Sequence, residues 1–284
     1  MTRDLAAHPE LLSLNTATVR ERWSLEEIIE GCARHGIRAI APWRDQVAKC
    51  GLAKAAKLIR THGLKLSGYC RGGMFPAADE AGRERAREDN RRALDEALTL
   101  GAACLILVVG GLPQGSKDIA GARMQVEEGI AWLLEQARVA GMKLAIEPLH
   151  PMYAADRACV NTLAQANDIC QRLGDRYGGG VGVAVDVYHV WWDPALEAEI
   201  ARAGRAGRLY AYNVCDWLVP TTDLLLDRGM MGDGVIDLPR IRGWVEAAGY
   251  LGAVEVEIFS ARNWWKRDPD EVLAVVQERY KTVC

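Results

Sequence analysis

Four side chains with oxygen donors, Glu147, Asp186, Asn213 and Glu257, each end a short apolar run. Strand side chains alternate between two faces. In Met142–Glu147, Lys143, Ala145 and Glu147 share one face, and Met142, Leu144 and Ile146 share the other. In Gly180–Val187 the valines 181, 183 and 185 oppose Gly182, Ala184 and Asp186. Leu209, Ala211 and Asn213 alternate with Tyr210 and Tyr212, and Ala253, Glu255 and Glu257 with Val254, Val256 and Ile258. A strand with no polar face has no use for a terminal acid unless something there pairs with its charge. Three carboxylates brought together without a cation repel and raise one another's pKa. One divalent ion removes that conflict, and all-oxygen ligation favours Mn2+ or Mg2+. The alternative is that each acid pairs with an internal Arg or Lys, as Glu255 and Lys143 could.

Holding these four ends together requires a repeating scaffold. Their spacings, 39, 27 and 44 residues, are each compatible with one strand–helix unit. Strand-like runs at Leu11–Asn15, Arg38–Trp43, Leu64–Cys70 and Ala103–Val109 precede those four. Helical patterns alternate with them: one capped by Ser24 with Glu27, one running to about Thr61, then Glu80–Leu100, Ile119–Ala140, Thr162–Leu173, Ala195–Ala203, Leu238–Ala248 and a last one opened by Asp268-Pro269. Eight such units predict an α/β chain folded as a single (β/α)8 TIM barrel over residues 1–284. A doubly wound open sheet is the weaker alternative, because no GxGxxG follows the first strand. The four polar ends then lie on the C-terminal face, where barrel enzymes keep their active sites.

Composition narrows the function. The formal net charge is −3, with 50% hydrophobic and 26% charged residues, so nucleic acid is not an expected partner. No apolar run reaches membrane-spanning length and MTRDLAAHPE has no signal-peptide h-region, so neither a membrane nor export is expected. The eight cysteines, none in CxxC spacing, suit reduced thiols in a cytoplasmic protein.

The segments AIEPLHP at Glu147, VDVYHVWWDP at Asp186, NVCDW at Asn213, DRGMMGDGVID at Asp227 and VEVEIFS at Glu257 resemble the sugar phosphate isomerase/epimerase superfamily, the xylose-isomerase-like barrels. These include ketose 3-epimerases, hydroxypyruvate isomerases and inosose dehydratases. The resemblance implies one Mn2+, Mg2+ or Co2+ held by Glu, Asp, His and Glu. Glu147, Asp186 and Glu257 match three positions, and Asn213 stands where the family usually has histidine. His189 matches a substrate-contacting histidine. His150, Arg71, Trp43 and Trp217 also follow strands, as do Trp264 and Trp265, and the first four are candidate substrate contacts. The loop Asp227–Gly234 is a candidate lid or oligomer contact.

The expected function is a metal-dependent isomerase or epimerase of a small keto-sugar or polyol, with Glu147 and Glu257 as catalytic acid and base on either side of an enediolate. The alternative is a lyase or dehydratase acting on a keto-sugar, keto-glycoside or inosose-like polyol. The outer helical surface leaves room for a homodimer or homotetramer.

Overall fold

The alternating apolar and amphipathic runs form a ring of parallel strands inside a ring of helices. The computed structural model describes residues 2–284. The strands are Leu12–Asn15, Ala39–Ala41, a third in two pieces (Lys65–Leu66 and Tyr69–Gly73), Leu105–Val108, Leu144–Ile146, Val181–Asp186, Leu209–Val214 and Val254–Val256. Neighbours in sequence are neighbours in the ring, and the eighth strand pairs with the first, Leu12 opposite Val254. Bridges Trp43–Cys70 and Leu66–Ala102 carry the pairing across the broken third strand. Pairing of the two outermost sequence units rules out the open doubly wound sheet.

The two strand faces separate as the alternation requires. Ala145, Ala184 and Ala211 fill the barrel interior with Cys70, Cys104 and Ile106. Leu144, Ile146, Val183, Val185, Val254 and Val256 face the helices and join the main core. Small inward side chains leave room at the C-terminal mouth for the longer polar ones that end the strands. In the seventh strand Asn213 is in register with Asp186 on one side and Glu255 on the other.

The long helices begin where their caps predict. Ser24 with Glu27 and Thr162 with Gln165 form reciprocal capping boxes, and Asp268 caps the last helix, Pro269–Thr282. Two stretches depart from the sequence expectation. The helix after the second strand is two helices, Arg44–Cys50 and Leu52–Thr61, because Gly51 adopts φ +90°, which ends one and starts the next. The stretch Cys215–Asp237, whose sequence reads as one long loop before the helix Leu238–Ala248, is not a plain loop. It contains an antiparallel pair, Asp216–Trp217 with Arg228–Gly229. The buried Asp216 carboxylate pins it by accepting from the N–H groups of Trp217, Gly232 and Ile236 at 2.9, 2.9 and 3.0 Å.

Among the described residues no helix is long and apolar enough to cross a membrane. All eight cysteines are free thiols.

Asn90, buried on the helix Glu80–Leu100, clamps the end of the third strand. It accepts from Gly73 N–H at 2.6 Å and donates to Gly73 C=O at 2.7 Å. Asn90→Ala leaves both backbone groups buried and unpaired. It is expected to destabilise the protein by about 3 kcal/mol, read from the urea unfolding midpoint.

Candidate active site

Glu147 follows the fifth strand directly, Asp186 ends the sixth, and Glu257 follows the eighth. The three each bring a carboxylate oxygen within 4.8 Å of one another, and all are buried. The sixth strand turns straight into a four-residue helix, Val187–Val190, whose N-cap is Asp186. One oxygen of Asp186 accepts from Tyr188 N–H at 2.9 Å, so the other is left for the cluster.

That second oxygen is met by Arg228, which the sequence pattern did not single out. Its Nη1 donates to Asp186 Oδ2 and Glu257 Oε2, both at 3.0 Å. The guanidinium stands over the Tyr188 ring at 4.3 Å and the Phe259 ring at 5.1 Å, and its side chain is 4% exposed. Its backbone N–H donates to Phe259 C=O at 2.8 Å, which fixes the hairpin strand against the eighth strand's end. Arg228 and Asp227 both stand in the DRGMMGDGVID motif, and the place of Arg228 as the one basic residue there was the available signal. The motif is not a loose flap: Arg228, Met230 and Met231 are buried.

The electrostatics follow from burial. Desolvation first, then the neighbouring Glu257 and Asp186, push the Glu147 carboxyl well above the usual range. Burial likewise raises Glu257 to about 8, against the opposing pull of Arg228. Glu147 makes no ion pair or side-chain hydrogen bond among the described residues and is open to the cavity. His189 is lowered to about 3 by burial, so its ring is neutral. Its Nδ1 faces the His150 N–H at 3.2 Å, and its Nε2 lies 3.3 Å from Arg228 Nη2 and 3.6 Å from Asp186 Oδ2.

Beneath the acids lies a second polar layer. Glu255 accepts from Asn15 Nδ2 at 2.8 Å, Ser67 Oγ at 2.7 Å and Asn213 Nδ2 at 3.4 Å. The expectation that Glu255 pairs with Lys143 is corrected: Lys143 is exposed, with its ammonium over the Tyr210 ring. The partners of Glu255 are all uncharged donors, and burial raises its carboxyl above the usual range. Asn213 spends its N–H on Glu255 and keeps Oδ1 buried with no partner. The donor set therefore fits a hard divalent ion: three clustered carboxylates and an unclaimed amide oxygen in the neighbouring strand.

A cavity of about 510 Å³ opens above this cluster, a volume typical of small-molecule sites. Glu147, Glu257, His189, Arg71 and Trp43 line it, with Tyr153, Arg157, Arg228 and Phe259 added by the structure. Trp43 is held by its Nε1–H to Asn15 Oδ1 at 2.8 Å and meets Phe259 edge-on. His150 and Trp217 do not reach the wall. They stack on each other at 5.0 Å, and Trp217 leans on Tyr188 at 4.7 Å, so the pair backs the ring that carries Arg228. Trp264 and Trp265 are buried, their indole N–H groups bonded to Asp233 and to the Ala17 and Ile258 carbonyls.

A family model described as xylose isomerase-like TIM barrel matches residues 29–278. The chain belongs to that family. The motif resemblance and the barrel agree with it. A crystal structure of a Sinorhizobium meliloti 1021 protein is 64% identical, covers 97% of this chain and 99% of its own, and superposes with a TM-score of 0.95. The IolI protein with a bound zinc atom (22% identity, 94% and 95% covered, TM-score 0.79) shares the fold. So does 3-keto-D-glucoside 4-epimerase from E. coli (16% identity, 96% and 99% covered, TM-score 0.74). A comparison with curated proteins finds no match. Within this family the buried acidic triad suits one divalent metal, and epimerases are among the structural neighbours.

Arg228 is the counter-charge of Asp186 and Glu257 in this structure, and a divalent ion bound by the acids would add a second. Arg228→Met strips the guanidinium from two buried carboxylates and is expected to cost about 3–5 kcal/mol in EDTA. Added Mn2+ should recover more stability in the variant than in the wild type, measured by urea unfolding with and without the ion.

Proposed function

We propose that this protein is a divalent-metal-dependent isomerase or epimerase of a small keto-sugar or polyol. The observation that carries this is geometric: Glu147, Asp186 and Glu257 bring three buried carboxylates within 4.8 Å of one another, and the two glutamates face one cavity. Two carboxylates facing one cavity can take a proton from substrate carbon and return one, which is what acid–base catalysis at carbon needs. Glu147, Asp186 and Glu257, with Asn213 beside them, would hold the ion, Mn2+ or Mg2+ by donor type. When bound, such an ion supplies Lewis acidity that makes a C–H next to a carbonyl easier to deprotonate.

The rest is the work of this chain's own groups. One of Glu147 and Glu257 takes the proton from substrate carbon, and the other returns one from the opposite side. His189, neutral and lining the cavity beside the acids, hydrogen-bonds a substrate oxygen. Trp43 and Phe259 offer apolar walls to the C–H faces of a sugar. The lyase or dehydratase alternative gains nothing from His150, which stacks on Trp217 outside the cavity wall.

The test is exchange of the substrate α-hydrogen in D2O, followed by mass spectrometry over a panel of ketoses. Glu257→Gln is expected to lower exchange at least about 100-fold with the fold intact by circular dichroism. Wild-type exchange in that variant would overturn the assignment. Chelation is expected to stop exchange, and Mn2+ to restore it.

A further inference from the structure

The cavity wall carries five arginines, and three of them are already neutralised. Arg20 pairs with Asp45, Arg44 with Asp89 and Glu96, and Arg228 with Asp186 and Glu257. Arg71 and Arg157 are different. Neither makes an ion pair or a side-chain hydrogen bond to protein among the described residues, although both are at least partly buried. Arg71 projects from the end of the third strand, and Arg157 lies with its guanidinium 5.7 Å from the Tyr153 ring. Asp156 and Asp223 line the adjoining outer groove with Arg157 without bridging to it.

We infer that the substrate carries a negatively charged end group, a carboxylate or a phosphate ester, which Arg71 and Arg157 grip together. This rests on the isomerase reading above. Two guanidinia line one cavity with no carboxylate bonded to either, so an entering anion gains two charge-assisted partners that a neutral hydroxyl does not. Each guanidinium presents a planar fork matched to the paired oxygens of either group. Burial and then the charge of Arg157 disfavour the charged form of Arg71, while Glu147 favours it. The anion site and the acid cluster are thus two ends of one cavity. A substrate spanning it has its reacting carbonyl at Glu147 and Glu257 and its charged end at Arg71 and Arg157.

The experiment uses the Mn2+-loaded protein with three probes: D-fructose, D-fructose 6-phosphate and 5-keto-D-gluconate. Calorimetry gives the affinity of each, and α-deuterium uptake in D2O gives turnover. At least one anionic probe is expected to bind about tenfold or more tightly than D-fructose, as one charge-assisted grip provides. Which one does so separates phosphate from carboxylate. Arg71→Gln and Arg157→Gln should each cut that preference about tenfold, the double variant should abolish it, and Arg71→Lys should retain part of it. Equal or tighter binding of D-fructose, or a preference that survives the double variant, overturns the inference. An arginine-dependent preference with no deuterium uptake from any probe keeps the anion site and overturns the isomerase reading. Uptake from D-fructose alone does the reverse.

Discussion

The barrel mouth is governed by the contact of one guanidinium with two buried carboxylates. Asp186 and Glu257 stand too close to each other and to Glu147 for all three to stay ionised unaided. Arg228 supplies a positive charge to two of them and leaves Glu147 facing the cavity. Much of what surrounds the site serves that contact. Tyr188 and Phe259 hold the guanidinium between rings, Trp217 and His150 back Tyr188, and Asp216 anchors the hairpin that brings Arg228 in. Residues that look like substrate contacts in sequence are in part props for a charge.

The acids were legible in the sequence because a strand's two-residue period leaves little freedom. Once Val181, Val183 and Val185 are placed outward, Asp186 must face in, and the same holds for Glu147 and Glu257. The eight units were legible for the related reason that strand and helix periods differ. Arg228 was not, because it lies 42 residues after Asp186 in an irregular stretch, where no period says which way a side chain points. Stacking misled in the same way: His150 and Trp217 each follow a strand, yet their flat faces found each other rather than the cavity. The helix break at Gly51 was missed because a single glycine inside an apolar pattern is compatible with a continuous helix until its φ is known.

The layer below the acids shows how a neutral side chain is given direction. An amide at position 213 has a donor end and an acceptor end, and Glu255 takes the donor. Asn15 and Ser67 complete the shell around Glu255, and Asn15 also holds Trp43. One network therefore orients an interior amide and a cavity wall at once, so disturbing Glu255 would reach both.

The acids ride on the barrel's own strands, whereas their cationic partner arrives on a separate ribbon tied down by Asp216. Scaffold and charge compensation are thereby written in different parts of the chain. Grafting or shortening that ribbon could retune the polarity of the mouth while the staves stay as they are. A mutational path to new chemistry in this protein would run through the insert first and the barrel last.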